Sequence, residues 1–205
     1  MKLLEKFRHS FAAFFEDFGY TAYPSDEYFF QNSTEATKII FMHLKAYNDG
    51  LMIEFMLSIS HKAVEKQLND IQESKRSNSL QLSFSTYLDG IDDNLPRRDF
   101  IKKEESPDAY IAQIEHFFVK KGFYWLDEYV KSNKLNDLMA LAIVQNKYYD
   151  NNLFLTCQRS LILKHILGEA ITEDLFYTYY EILQEKRLPE SKLKEFLELR
   201  MLFLA

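Results

Sequence analysis

Apolar residues recur at spacings of three and four from Leu4 through Phe7, Phe11, Phe14, Phe15 and Phe18, the stripe of an amphipathic helix over residues 3–18. Gly19 stands where a glycine beyond the last turn would end it. Acids and bases mix on the polar side (Glu5, Lys6, Arg8, Glu16, Asp17), unlike the strongly basic face of a membrane-surface helix, so the stripe is read as packing on a core. The period then falls to two. Residues 28–31 read as a short strand, and 38–47 and 51–60 as a hairpin joined at Asp49-Gly50, a type I′ turn signal. That turn sets Ile40, Met42, Leu44 and Ala46 against Ile59, Leu57, Phe55 and Ile53 on one apolar face, with Lys45 across from Glu54 on the other.

Residues 61–73 return to a helical pattern with Val64, Leu68 and Ile71 inward, and 74–79 are polar loop. Strict alternation marks a strand over 80–88, a turn-rich loop follows at 89–96, and the charged stretch 97–103 suits an edge strand. From Ser106-Pro107-Asp108 onward the spacing is helical: a helix that Gly122 ends or kinks, then helices near 134–146, 153–167, 173–186 and 190–203. Strands gather in the first half and helices in the second. This is the α+β arrangement: an antiparallel sheet of four or five strands with helices, followed by a helical bundle. The expected boundary falls at 104–106, dividing a sheet region (1–105) from a helical region (106–205) packed against it as one compact unit.

Composition removes whole classes of chemistry. Five glycines at 19, 50, 90, 122 and 168 are too scattered for a phosphate-cradling loop. Five histidines, well separated, and the single Cys157 offer no local zinc set, and there is no G-x-S-x-G elbow. No cofactor or metal is expected. The net charge of −6 divides equally between residues 1–104 and 105–205, so no basic domain suggests nucleic acid. The longest apolar run, 138–144, is far short of a membrane span, and one cysteine suits a reducing compartment. A cytoplasmic location without membrane or nucleic-acid contact is expected.

Several residues merit comparison with plainer roles. Asp89, Asp92, Asp93 and Asn94 could bind a hard cation, but their spacing fails the calcium-loop pattern and these residue types also build turns. Arg97, Arg98, Lys102 and Lys103 form a basic patch beside Asp99, Glu104 and Glu105, which neutralise it. His43, Lys45 and Glu54 share the hairpin's second face; a simple cross-strand ion pair between Lys45 and Glu54 accounts for two of them. His116, Trp125 and Cys157 read as a hydrogen-bonded histidine, a core anchor and a buried thiol. Phe41, Tyr47 and Tyr87 fall on the sheet's second face, either as an exposed patch or beneath the C-terminal helices.

The order of elements resembles a group of bacterial α+β families of unknown role: a helix ending near Phe18-Gly19-Tyr20, a strand meander, then Phe117 to Leu126 and further helices. Some of these look like immunity proteins that neutralise polymorphic toxins. The resemblance covers about the first 145 residues, and it implies a binding role without assigning functional residues. The expectation is a non-enzymatic protein that contacts a protein partner around Tyr87, Asp89, Asp92 and Asp93. The alternative is a hydrolase or nucleotide-processing enzyme assembled from His43, Glu54 and Asp92. The apolar C-terminus (Leu193, Phe196, Leu197, Leu199, Met201 to Leu204) is expected to be docked.

Overall fold

A computed structural model describes residues 3–23, 28–72, 80–145 and 152–204. The fold is α+β: an antiparallel N-terminal sheet with helices, then a helical C-terminal region. The expected loop at 74–79 lies outside the described residues. Contacts divide the chain into two compact units: Met1–Ser60 with Ser85–Val130, and His61–Phe84 with Lys131–Ala205. Residues 106–130, read from the sequence as part of the helical region, thus cluster with the sheet.

The sheet has six strands, all in the first unit except the end residues His61 and Phe84: β1 (Thr21–Ala22), β2 (Tyr28–Asn32), β3 (Ala36–Ala46), β4 (Gly50–His61), β5 (Phe84–Tyr87) and β6 (Arg98–Lys102). The order is β1-β2-β3-β4-β5, with β6 also pairing β4. β1, too short to carry an alternation signal, adds a strand to the four or five expected. β5 is shorter than residues 80–88: 80–83 are not strand, and Leu88–Gly90 wind into a 3-10 turn.

The hairpin keeps its faces but not its expected register. Tyr47 N donates to Gly50 O at 2.8 Å, so Asn48-Asp49 form the tip. Neither residue has the positive φ that a type I′ turn needs, and neither does Gly50. Glycine is needed at position 50 for a different reason: a Cβ there would lie 2.4 Å from Ile101 O on β6. Counting outward from the closing bond sets His43, not Lys45, across from Glu54. A two-residue shift preserves side-chain direction, so Ile40, Met42, Ile53, Phe55, Leu57 and Ile59 are buried as the alternation requires. Leu44 is half-buried and Ala46 exposed, because they approach the tip. On β4 the second face is buried as well, with Ser58 Oγ donating to Ser85 Oγ at 2.8 Å.

Two helical segments cover the first face: α1 (Leu3–Asp17), and a continuous run of α3 (Asp108–Phe117), a π turn (Phe118–Gly122) and α4 (Phe123–Tyr129). Their rings interlock with those of the strands: Phe15 meets Phe29 at 4.7 Å and Phe118 at 4.8 Å, and Phe11 meets Phe55 at 5.0 Å. Each buried Phe contributes roughly 1.5–3 kcal/mol, so these rings dominate the unit's stability. Gly122 neither ends nor breaks the helix. It gives Phe118 room, since a Cβ would lie 2.7 Å from that ring.

The second unit holds α2 (Lys62–Ile71), α5 (Ser132–Gln145), α6 (Leu153–Ile166), α7 (Glu173–Glu185), α8 (Glu190–Glu198) and α9 (Arg200–Phe203). α6 is buried along most of its length and is the axis of the unit. Thr172 caps α7 as expected, its Oγ1 accepting from Leu175 N at 3.2 Å. Of the apolar C-terminal residues, Phe196 and Leu199 are buried and Leu193, Leu197, Phe203 and Leu204 pack against the core. Met201 and Leu202 face solvent, so the expectation of docking fails for those two.

Candidate functional site

The carboxylate loop is tied into the first unit. Asp92 Oδ2 pairs with Lys121 Nζ at 2.8 Å, while its Oδ1 accepts from Asn94 Nδ2 at 2.9 Å and Asn94 N at 3.2 Å. The Lys121 bond first, and then Asn94, hold the Asp92 carboxyl below its ordinary range. Asp89 is half-buried, Asp93 is exposed, and Tyr87 lies beneath the Arg97 guanidinium at 3.8 Å. Among the described residues no group of three or more His, Cys, Asp or Glu is placed to hold a metal ion.

The alternative trio has divided partners. Glu54 is buried, and Oε1 accepts from Arg97 Nε at 2.8 Å and lies 3.1 Å from Arg98 Nε. It takes two arginines instead of the expected Lys45, which reaches over the Tyr47 ring. His43 stacks on Phe41 at 5.8 Å, on an exposed stretch of β3. Asp92 lines a small pocket in which neither His43 nor Glu54 takes part.

A serine–histidine contact that the sequence did not signal lies in the second unit. His61 Nε2 is 2.9 Å from Ser132 Oγ, and His61 Nδ1 accepts from Val64 N at 3.4 Å as the cap of α2. An imidazole nitrogen that accepts from a backbone N–H carries no proton, so the ring's proton sits on Nε2 and points at Ser132. In that tautomer His61 donates to the serine and cannot take its proton, the reverse of what a nucleophilic dyad requires. In this arrangement His61 caps α2. Nearby, Arg159 holds Glu65 through two bonds of 2.8 and 3.0 Å, and Ser83 Oγ donates to Glu65 at 2.7 Å while accepting from His61 N. Arg159 stands between Cys157 and Leu161 in a helix whose spacing marks it as core, a signal that such a partner exists. Cys157 is fully buried, and burial pushes its thiol up, away from the thiolate a nucleophile needs.

The sheet's second face carries a row of aromatic side chains. Strand pairing puts Tyr28 beside Phe41, Met52 beside Phe100 and Gly50 beside Lys102, and side chains at paired positions point the same way. A band of rings results: Tyr23 on Tyr28 at 4.5 Å, Tyr28 on Phe41 at 5.4 Å, and Phe41 on His43. Lys45 follows two residues along β3, then Tyr47, whose ring meets Phe100 at 6.0 Å. Tyr23, Tyr47 and Phe100 remain 46%, 46% and 40% exposed. The charges along this band are mainly positive: Lys45, Lys102, and two arginines sharing the one Glu54 carboxylate. Of the three aromatics expected on this face, Phe41 and Tyr47 belong to the band, while Tyr87 is engaged by Arg97.

The outer edge of β6 is closed. Lys103 N bonds Asp49 O, which by alternation turns the N–H groups of Phe100 and Lys102 away from β4. Asp99 Oδ1 accepts from Phe100 N at 2.8 Å and Glu105 Oε2 from Lys102 N at 3.1 Å. Those acids do more than neutralise a basic patch: they occupy the donors that an added strand would use. This end of the sheet presents side chains, not a free backbone edge.

Compared with known proteins, the chain matches no family model, no curated protein and no solved structure. No helix among the described residues is long and apolar enough to cross a membrane.

Proposed function

We propose that this chain is a non-enzymatic binding protein that takes an acidic protein partner on the aromatic, cationic face of its sheet. The observation that carries this reading is the band from Tyr23 to Phe100, with large rings left exposed and bordered by Lys45, Arg98 and Lys102. Aromatic and arginine side chains supply most of the energy at protein interfaces, and complementary charge sets the rate and the choice of partner. A positive band on a chain of net charge −6 favours a discrete acidic surface over a long polyanion such as nucleic acid. The immunity-like resemblance also implies a binding role. The partner contact moves accordingly from the Tyr87, Asp89, Asp92 and Asp93 loop, where Asp92 and Tyr87 are engaged internally, to the sheet face.

The test is capture from native lysate with three proteins in parallel: wild type, Tyr47→Ser with Phe100→Ser, and Lys45→Glu with Lys102→Glu. The exposed positions spare the fold, which circular dichroism checks. One retained protein of acidic surface, lost at least tenfold from both variants, is the expected result. Equal retention by all three removes this face from the function. Retention abolished by nuclease assigns the band to nucleic acid instead. Turnover of phosphoesters or nucleotides that is lost in His43→Ala or Glu54→Gln overturns the non-enzymatic reading.

A further inference from the structure

Beside the carboxylate loop the first unit has a second feature, independent of the sheet face. Asp92, Asn94 and Leu95 on one side, and Gln113, His116, Phe117, Lys120 and Lys121 on the other, enclose a half-open pocket of about 240 Å³. Leu95 and Phe117, both buried, give it an apolar floor. Its single acid, Asp92, is already neutralised by Lys121. Lys120 and His116 are exposed, and among the described residues neither has a hydrogen-bond or ion-pair partner. Two donors are thus unspent around a pocket whose only anion is satisfied.

The backbone explains how these groups meet. In an α-helix His116 and Lys120, four apart, share a face. The π turn over Phe118–Gly122 spaces its bonds five residues apart, which adds Lys121 to the same side while Phe117 and Phe118 stay buried. Such turns are a costly departure from α geometry and occur frequently at functional sites. Lys121 is anchored on Asp92, and Asp92 in turn holds Asn94, so the rim is fixed by bonds among its own residues. The arrangement is an immobilised ammonium, a free ammonium, an imidazole and two carboxamides around an apolar floor.

We propose that this pocket binds a small oxyanion, a phosphate or a carboxylate, with Lys120 as the principal charge and His116 and Gln113 as hydrogen-bonding partners. Charge-assisted bonds to an oxyanion are the strongest such a site can form, and the volume suits a group of this size rather than a drug-sized ligand. Lys121 is a positioning residue: it spends its charge on Asp92 and holds the loop in place.

The probes are inorganic phosphate and acetate, titrated into the full chain at constant ionic strength with chloride as control, and followed by the backbone amide resonances of Asn94, His116 and Lys120. Saturable shifts at these positions with phosphate or acetate, and not chloride, are expected; the probe that saturates at lower concentration identifies the oxyanion class. Lys120→Ala should weaken binding roughly tenfold to a hundredfold, the loss of one charged hydrogen bond. Lys120→Arg, which keeps the charge, should retain most of it. Shifts that rise linearly without saturating, or equally with chloride, overturn the proposal, as does saturable binding unchanged in Lys120→Ala. None of these substitutions touches the sheet face, so partner capture by Lys120→Ala separates failure of this site from failure of the proposed function.

Discussion

The two units solve the problem of an interior in opposite ways. In the first, Phe7, Phe11, Phe15, Phe29, Phe55 and Phe118 interlock with no charged group among them. In the second, α6 brings Gln158, Arg159 and Ser160 into the interior beside Leu161, Ile162 and Leu163, and Arg159 is held by Glu65. An aromatic interior gains from every ring and has no single partner to lose. An ionic one is neutral overall only while both charges are present, because either alone in a low-dielectric interior is severely destabilising. The ring cluster of the first unit rests on shape, whereas its buried Glu54 and the Glu65–Arg159 pair of the second rest on pairing.

The largest expected effect separates these two kinds of interior. Arg159→Met strands the Glu65 carboxylate and should cost about 3–5 kcal/mol by urea denaturation. Replacing both partners, Glu65→Met with Arg159→Met, should recover at least half of that loss. Phe15→Ala should cost a similar ~3–5 kcal/mol, and adding Phe118→Ala should deepen the loss with no recovery. A double ionic variant as unstable as Arg159→Met alone would make the second interior as dependent on shape as the first.

A smaller effect is expected at His61. His61→Ala removes the cap of α2 and the Ser132 contact, and should cost about 1 kcal/mol, the usual loss on deleting a cap. His61→Asn keeps a capping acceptor and should cost less, whereas equal losses would place the stability in the Ser132 contact instead of the cap.

The smallest effect is electrostatic and confined to acid. Asp92 is held below its ordinary range by Lys121 and then Asn94, and Asp108 by Lys6 and then Ser106. A carboxyl depressed in the folded state contributes stability that is complete above its unfolded pKa, about 3.9, and is lost as pH falls through the lower folded value. Asp92→Asn with Asp108→Asn should therefore flatten the fall in stability below about pH 4. Melting temperatures measured from pH 2 to 7 test it: an unchanged acid limb would show that these ion pairs carry no stability.

Legibility in the sequence followed the range of the interaction. The α1 stripe, the alternation of β3 and β4, the Thr172 cap and the α+β order all depend on residues a few positions apart, so periodicity revealed them. Gly50 marks where such reading stops. Beside Asp49 it has the signature of a turn, yet what excludes a side chain there is Ile101, far along the chain on β6. The arginine partners of Glu54 were hidden for the same reason. The tip at Asn48-Asp49 moves Lys45 out of register with it, and Arg97 and Arg98, where the chain enters β6, bring two guanidiniums to it. Of the candidate residues, Asp92 does line a pocket, while its companions His116 and Lys120 come from a helix whose π turn leaves no mark in hydrophobic spacing.

The sequence by itself determined the element types, the apolar face of the central hairpin and the absence of glycine loops and local zinc sets, because each is a property of neighbouring residues. Tertiary structure alone decided which charges are satisfied. Arg159 finds Glu65, Asp92 finds Lys121, and the rings from Tyr23 to Phe100 join into one surface only when distant strands are paired. A charge or a ring acquires its role from what it meets, and for these residues the meeting is made by the fold.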